Sequence, residues 1–139
     1  MKEDIRIVVF DIYGVVVDKE GNLQDGILAI FKKLKEKGIK LVACSNSSRR
    51  MIDIWNSKYD FLKYFDDIVL AEDIQVNKPE PEMFREILRR NSNISPQNIL
   101  FVDDKEINIL ASEAEGLIGL KFDDVASLRP GLEDLYTDK

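Results

Sequence analysis

Five short apolar runs, rich in β-branched residues, punctuate the chain: Ile5–Phe10, Ile39–Ala43, Ile68–Leu70, Ile99–Val102 and, more weakly, Leu117–Leu120. The runs are nearly continuous rather than alternating, the pattern of strands covered on both faces. Between them the period changes. Ile27, Ile30, Phe31 and Leu34 recur at spacings of three and four, which predicts a helix over Ile27–Lys37 with Gly38 at its C-terminal stop and a lysine-rich solvated face. Further helices are predicted at Ser48–Asn56, at Pro81–Arg90 with a proline in the first turn, and at Glu106–Glu115 before Gly116. Val125–Tyr136 stays ambiguous, because Pro130 and Gly131 interrupt its pattern. Val16–Gln24 reads as a hairpin flap turning at Glu20-Gly21-Asn22. Strands alternating with helices predict an α/β, three-layer Rossmann-like fold on a five-stranded parallel sheet, with ligands beyond the carboxyl ends of the strands. At 139 residues, the expectation is one domain spanning residues 1–139.

Composition narrows the chemistry. Acidic residues outnumber basic ones, 26 to 20, and the net charge of −6 disfavours nucleic acid as a partner. Cys44 is the only cysteine, so no internal disulfide forms, and the thiol suits a reducing, cytoplasmic setting. It lies in a buried strand pattern and reads as core rather than nucleophile. No apolar run approaches the ~18 residues of a membrane span, and Lys2, Glu3, Asp4 and Arg6 precede too short an apolar stretch for a signal peptide. With no histidine, catalysis falls to carboxylates, hydroxyls and lysines. Trp55, Tyr59, Phe61, Tyr64 and Phe65 read as core or subunit contact, and Arg49 and Arg50 as solvated helix residues.

The predicted strand ends carry the candidate site. Asp11 follows the first strand, Ser45 and Asn46 the second, Lys78 the third, and Asp103 and Asp104 the fourth. An aspartate after a strand is ordinarily a turn or cap residue. Four such groups on one rim are different: carboxylates can hold a hard divalent cation, a hydroxyl beside backbone N–H groups can cradle a phosphoryl oxygen, and a lysine can neutralise charge. That is the equipment for phosphoryl transfer to a carboxylate. Response-regulator receiver domains use the same parts, but with the acidic pair first and the lysine last. Here the order is Asp, Ser, Lys, Asp-Asp.

In that order the chain resembles the haloacid dehalogenase superfamily, most of whose members are phosphatases. The resemblance spans roughly residues 5 to 120. It rests on Phe10-Asp11-Ile12-Tyr13-Gly14-Val15, Val42-Ala43-Cys44-Ser45-Asn46, Lys78-Pro79-Glu80-Pro81-Glu82-Met83-Phe84 and Phe101-Val102-Asp103-Asp104-Lys105-Glu106-Ile107-Asn108. It implies that Asp11 attacks phosphorus and becomes an aspartyl phosphate. It further implies that Mg²⁺ is held by the Asp11 carboxylate, the Tyr13 carbonyl and Asp104, with Asp103 beside it. Ser45 and the Asn46 N–H would take the phosphoryl oxygens, and Lys78 would neutralise charge and orient Asp11.

Residue 13 departs from the pattern. Family phosphatases place there an aspartate that protonates the leaving oxygen and then activates water. A phenol, with a reference pKa of about 10, is a poor base at neutral pH, so both proton transfers should slow by roughly 10²-fold or more. True 2-haloacid dehalogenases carry tyrosine there and need no leaving-group proton, which makes dehalogenation the rival expectation; a module that binds without turnover is a third. Asp103-Asp104 favours the metal-dependent phosphatase. Only 34 positions separate Asp11 from Ser45 and 33 separate Ser45 from Lys78, which leaves no room for a cap domain. An open site implies a phosphorylated substrate, small or macromolecular, or a second subunit closing the site.

Overall fold

The computed structural model describes residues 4–136; Lys2 and Glu3 of the amino-terminal reading lie outside the described residues. All five strands form: β1 (Ile7–Phe10), β2 (Lys40–Ser45), β3 (Asp67–Leu70), β4 (Ile99–Asp103) and β5 (Ile118–Lys121). They lie in one sheet, in the order β3-β2-β1-β4-β5, and every neighbouring pair is parallel. β1 is therefore central, flanked by β2 and β4, and the carboxyl ends of these three strands are brought together.

The helices are α1 (Ile27–Glu36), α2 (Arg49–Tyr59), the single turn α3 (Ala71–Ile74), α4 (Pro81–Arg90), α5 (Glu106–Ala114) and α6 (Val125–Tyr136). Alternate residues of each strand feed two cores. Val8, Phe10, Leu41, Ala43, Leu100 and Val102 pack on one face with Ile27, Phe31 and Leu34 of α1, Ile52 and Trp55 of α2, and Leu128 and Leu132 of α6. Ile7, Val9, Val42, Cys44, Ile99 and Phe101 pack on the other with Met83, Phe84 and Ile87 of α4 and Ile109 of α5. Burial on both faces explains why the strand sequences read as unbroken apolar runs. Edge-to-face contacts of Phe31 with Phe10 at 4.9 Å and with Phe65 at 5.1 Å fasten α1 to the sheet. No helix among the described residues is long and apolar enough to cross a membrane.

The ambiguous C-terminal stretch is a helix that contains Pro130. Its backbone cost is offset by packing: Leu128 and Leu132 are buried, and a Cβ on Gly131 would come within 2.8 Å of the Leu120 side chain. α2 runs three residues past its expected end and stops at Asp60, in the left-handed conformation; Ser48 caps its start, accepting from the Met51 N–H.

Candidate active site

Asp11 stands immediately after β1. Its Oδ1 accepts from the Ile12 N–H and from Lys78 Nζ, both at 2.9 Å. Lys78 is brought here by the connection from β3, where α3 closes with Gln75 at positive φ and Pro81 then opens α4. Its ammonium is buried and donates to three acceptors: Asp11 Oδ1, Asp103 Oδ2 at 2.8 Å and the Cys44 carbonyl at 2.9 Å. Asp103 at the end of β4 is fully buried; Oδ2 also accepts from Asn108 Nδ2 at 3.1 Å, and Oδ1 from the Lys105 N–H at 3.0 Å. Asp103 is thus a fully engaged anchor.

Asp104 differs. Its Oδ1 is buried without a hydrogen-bond partner, a state that ordinarily costs about 1–3 kcal/mol or more for a charged group. Gly14, at φ +96°, lies so close that a Cβ there would come within 2.5 Å of Asp104 Oδ2. Asp11, Asp103 and Asp104 each offer a carboxylate oxygen within 4.8 Å of the others. An all-oxygen donor set with an orphaned carboxylate oxygen fits a hard divalent cation such as Mg²⁺.

Electrostatics point the same way. Three carboxylates are gathered beside one ammonium in a largely buried cluster. Burial pushes the Asp11 carboxyl up to about 7, Lys78 opposes the rise, and Asp103 and Asp104 add to it. Burial alone would lower Lys78, but Asp11 and Asp103 reverse this and hold the ammonium above its ordinary range. The Cys44 thiol is pushed up to about 12 by burial, which keeps it an inert core residue.

A cavity of about 340 Å³ opens over these groups, lined by Asp11, Tyr13, Lys19, Asn46, Ser47, Lys78, Asp104, Lys105 and Asn108. Ser45 is fully buried at the end of β2, and its Oγ accepts from the Ser47 N–H at 3.0 Å. Asn46 has a role that the sequence did not disclose. Its Oδ1 accepts from the Lys78 N–H at 2.8 Å and its Nδ2 donates to the Lys78 carbonyl at 3.2 Å, so one amide clamps the backbone of the buried lysine. The pairing joins residues 32 positions apart, which no local pattern announces.

Tyr13 is tied to the flap. Its hydroxyl donates to the Lys19 carbonyl at 2.8 Å, and its ring stacks on Trp55 at 5.8 Å. The flap forms near the expected residues, with Val17 bridging Leu23 antiparallel and the Asp18 carboxylate accepting from the Glu20 and Asn22 N–H groups. Trp55 and Phe61 are core residues as expected, though Trp55 also supports Tyr13. Arg49 and Arg50 are exposed and do not line the cavity.

A parallel α/β sheet with an acidic and lysine-bearing site at its carboxyl edge defines a class, and comparison with known proteins names the family. The family described as haloacid dehalogenase-like hydrolase matches residues 1–119. The chain belongs to that family of hydrolases. It is 30% identical over 126 residues to phosphoglycolate phosphatase of Escherichia coli strain K12, covering 87% of this chain and 50% of the relative. It therefore spans about half the length of that relative. Among solved structures, a haloacid dehalogenase family enzyme of Bacteroides thetaiotaomicron, in complex with magnesium and inorganic phosphate, superposes with a TM-score of 0.71 at 17% identity. The alignment covers 89% of this chain and 98% of that one. The L-2-haloacid dehalogenase RSc1362 superposes with a TM-score of 0.75 at 14% identity, covering 84% and 86%. At these identities the structures speak to the fold alone.

Proposed function

We propose that this protein is a Mg²⁺-dependent phosphate monoester hydrolase that works through an aspartyl phosphate on Asp11. The observation that carries the reading is the orphaned Oδ1 of Asp104 beside Asp11, an arrangement that calls for a cation. Asp104 and Asp11, with the Tyr13 carbonyl, would hold the ion, while Asp103 orients Lys78. A bound divalent cation supplies neutralisation of the surplus negative charge and polarisation of a phosphoryl oxygen.

The chain's own groups do the rest. Lys78 and the Ile12 N–H engage Oδ1 of Asp11, which leaves Oδ2 for in-line attack on phosphorus. The new P–O bond forms as the leaving oxygen departs with its electron pair. Water then attacks the phosphorus of the acyl phosphate, and the P–O bond to Asp11 breaks to regenerate the carboxylate. Inorganic phosphate leaves carrying the new hydroxyl, with the second water proton passing to a phosphate oxygen or to solvent. Ser45 and the Asn46 N–H are the residues assigned to the phosphoryl oxygens, while Lys78, whose three donors are taken by Asp11, Asp103 and the Cys44 carbonyl, neutralises charge and orients Asp11. The Tyr13 hydroxyl is committed to the Lys19 carbonyl, and residue 13 offers no carboxylate to protonate a leaving group. Substrates whose leaving group needs no proton are therefore favoured.

The test is hydrolysis of an aryl and an alkyl phosphate, with Mg²⁺ and with EDTA. Aryl phosphate should turn over at least about 10²-fold faster. EDTA and Asp11→Asn should abolish turnover, and Tyr13→Asp should raise the alkyl rate. Equal rates for both substrates, with no gain in Tyr13→Asp, would refute the mechanism. Tyrosine at position 13 also supports a second reading, 2-haloacid dehalogenation, whose signature is EDTA-insensitive halide release. Mg²⁺ and phosphate binding with no turnover of any kind would instead identify a silent binding module.

A further inference from the structure

The cavity carries two cations that the phosphoryl chemistry leaves unassigned. Lys78 lies buried at its floor, whereas Lys19 and Lys105 are exposed where they line it. Most basic side chains near acidic neighbours here are paired: Lys35 with Asp66, Arg85 with Glu115, Arg89 and Arg90 with Glu86. Lys19 and Lys105 form no ion pair among the described residues, although the chain carries a net charge of −6.

Both are also carried on fixed backbone. Lys19 sits on the flap, whose carbonyl at that residue is held by the Tyr13 hydroxyl, and whose Gly21 carbonyl accepts from the Tyr59 hydroxyl at 3.0 Å. Trp55 lies beneath the same turn, where a Cβ on Gly21 would stand 3.2 Å from its indole nitrogen. Lys105 opens α5, and its N–H is bound by Asp103. The tyrosine that replaces an acid thus serves as a latch for a lysine. A cavity of about 340 Å³ is at the small end for ligand sites, so the part of a small substrate that extends beyond its phosphate stands against the lysines that line the same cavity.

We propose that Lys19 and Lys105 form a second anion subsite, and that the substrate is a small phosphate monoester whose leaving group bears an anionic group of carboxylate size. This rests on the phosphatase reading.

The test uses non-hydrolysable ligands, so that it does not depend on turnover. Calorimetry with Mg²⁺ present compares phosphonoacetate, which has the anionic tail, with ethylphosphonate, which lacks it. The wild type should bind phosphonoacetate about tenfold more tightly, and the preference should shrink to within about twofold in the Lys19→Gln, Lys105→Gln double variant. Ethylphosphonate affinity should move by less than about twofold. Trp55, the only tryptophan, supplies an independent fluorescence readout near the flap. Equal affinities in the wild type, or a preference that survives in the double variant, would overturn the subsite. So would an equal loss for both ligands, which would place the lysines on the phosphate itself. If neither ethylphosphonate nor inorganic phosphate binds, the phosphate reading fails first and takes the subsite with it.

Discussion

Asp11→Asn should make the metal-free protein more stable at neutral and alkaline pH, although it removes the proposed nucleophile. The substitution keeps the shape of the side chain and an oxygen for the Ile12 N–H and Lys78 Nζ, but deletes one of three clustered negative charges. The Asp11 carboxyl is pushed up to about 7 in the folded protein, against an ordinary value of 3.8. The folded state therefore binds a proton more tightly than the unfolded state. Its stabilising contribution is complete below the unfolded value and is lost as pH rises toward 7. At 1.36 kcal/mol per pH unit, the full penalty is about 4 kcal/mol, of which roughly 2–3 kcal/mol accrues between pH 5 and pH 8. The assay is urea denaturation in EDTA at both pH values, for wild type and variant. The advantage of the variant should widen by roughly 2–3 kcal/mol from pH 5 to pH 8, a large share of the stability of a small domain. A constant difference across that range, or a variant less stable than the wild type at pH 8, would refute the account of the site's charge.

Other consequences follow from the same geometry. Mg²⁺ should raise the melting temperature of the wild type at pH 8, because the proposed carboxylate site exists only in the folded state, and Asp104→Asn should remove most of that shift in a thermal scan. Gly14→Ala should do the same: the added Cβ meets the Asp104 carboxylate at 2.5 Å and must also adopt φ +96°. Asn46→Ala removes both hydrogen bonds to the Lys78 backbone and should cost about 1–2 kcal/mol in urea melts. It should also lower kcat about tenfold through misplacement of the lysine, with the Mg²⁺ shift retained. Phe31→Ala should destabilise by about 3–5 kcal/mol in urea, without selective loss of Mg²⁺ binding.

The sheet was legible in the sequence because parallel strands buried on both faces leave unmistakable apolar runs; all five appear with shifts of at most two residues at their ends. The helices with clear three-and-four spacing were equally plain, and α4 begins and ends at Pro81 and Arg90 as expected. α6 was not, because Pro130 and Gly131 speak locally against a helix, whereas the packing of Leu128, Leu132 and Gly131 that favours one is tertiary. The site shows the same division. Asp11, Lys78, Asp103 and Asp104 could be placed on one rim from strand ends alone. The Asn46 clamp, the tie from Tyr13 to Lys19 and the saturation of Asp103 depend on side-chain geometry between segments far apart in the chain. Tyr13 could be recognised as an unusual residue from sequence, but not as a latch.

Lys78 joins Asp11, Asp103 and the Cys44 carbonyl in a buried cluster at the base of the cavity. Removing it would strand two buried carboxylates, a loss of the kind that costs several kcal/mol. An inactive Lys78 variant would therefore speak first about folding and only second about chemistry. The same holds over evolutionary time: a descendant that hydrolysed nothing but kept Asp11 and Asp103 would still need this lysine to stay folded, and Lys78 would outlast the proposed activity.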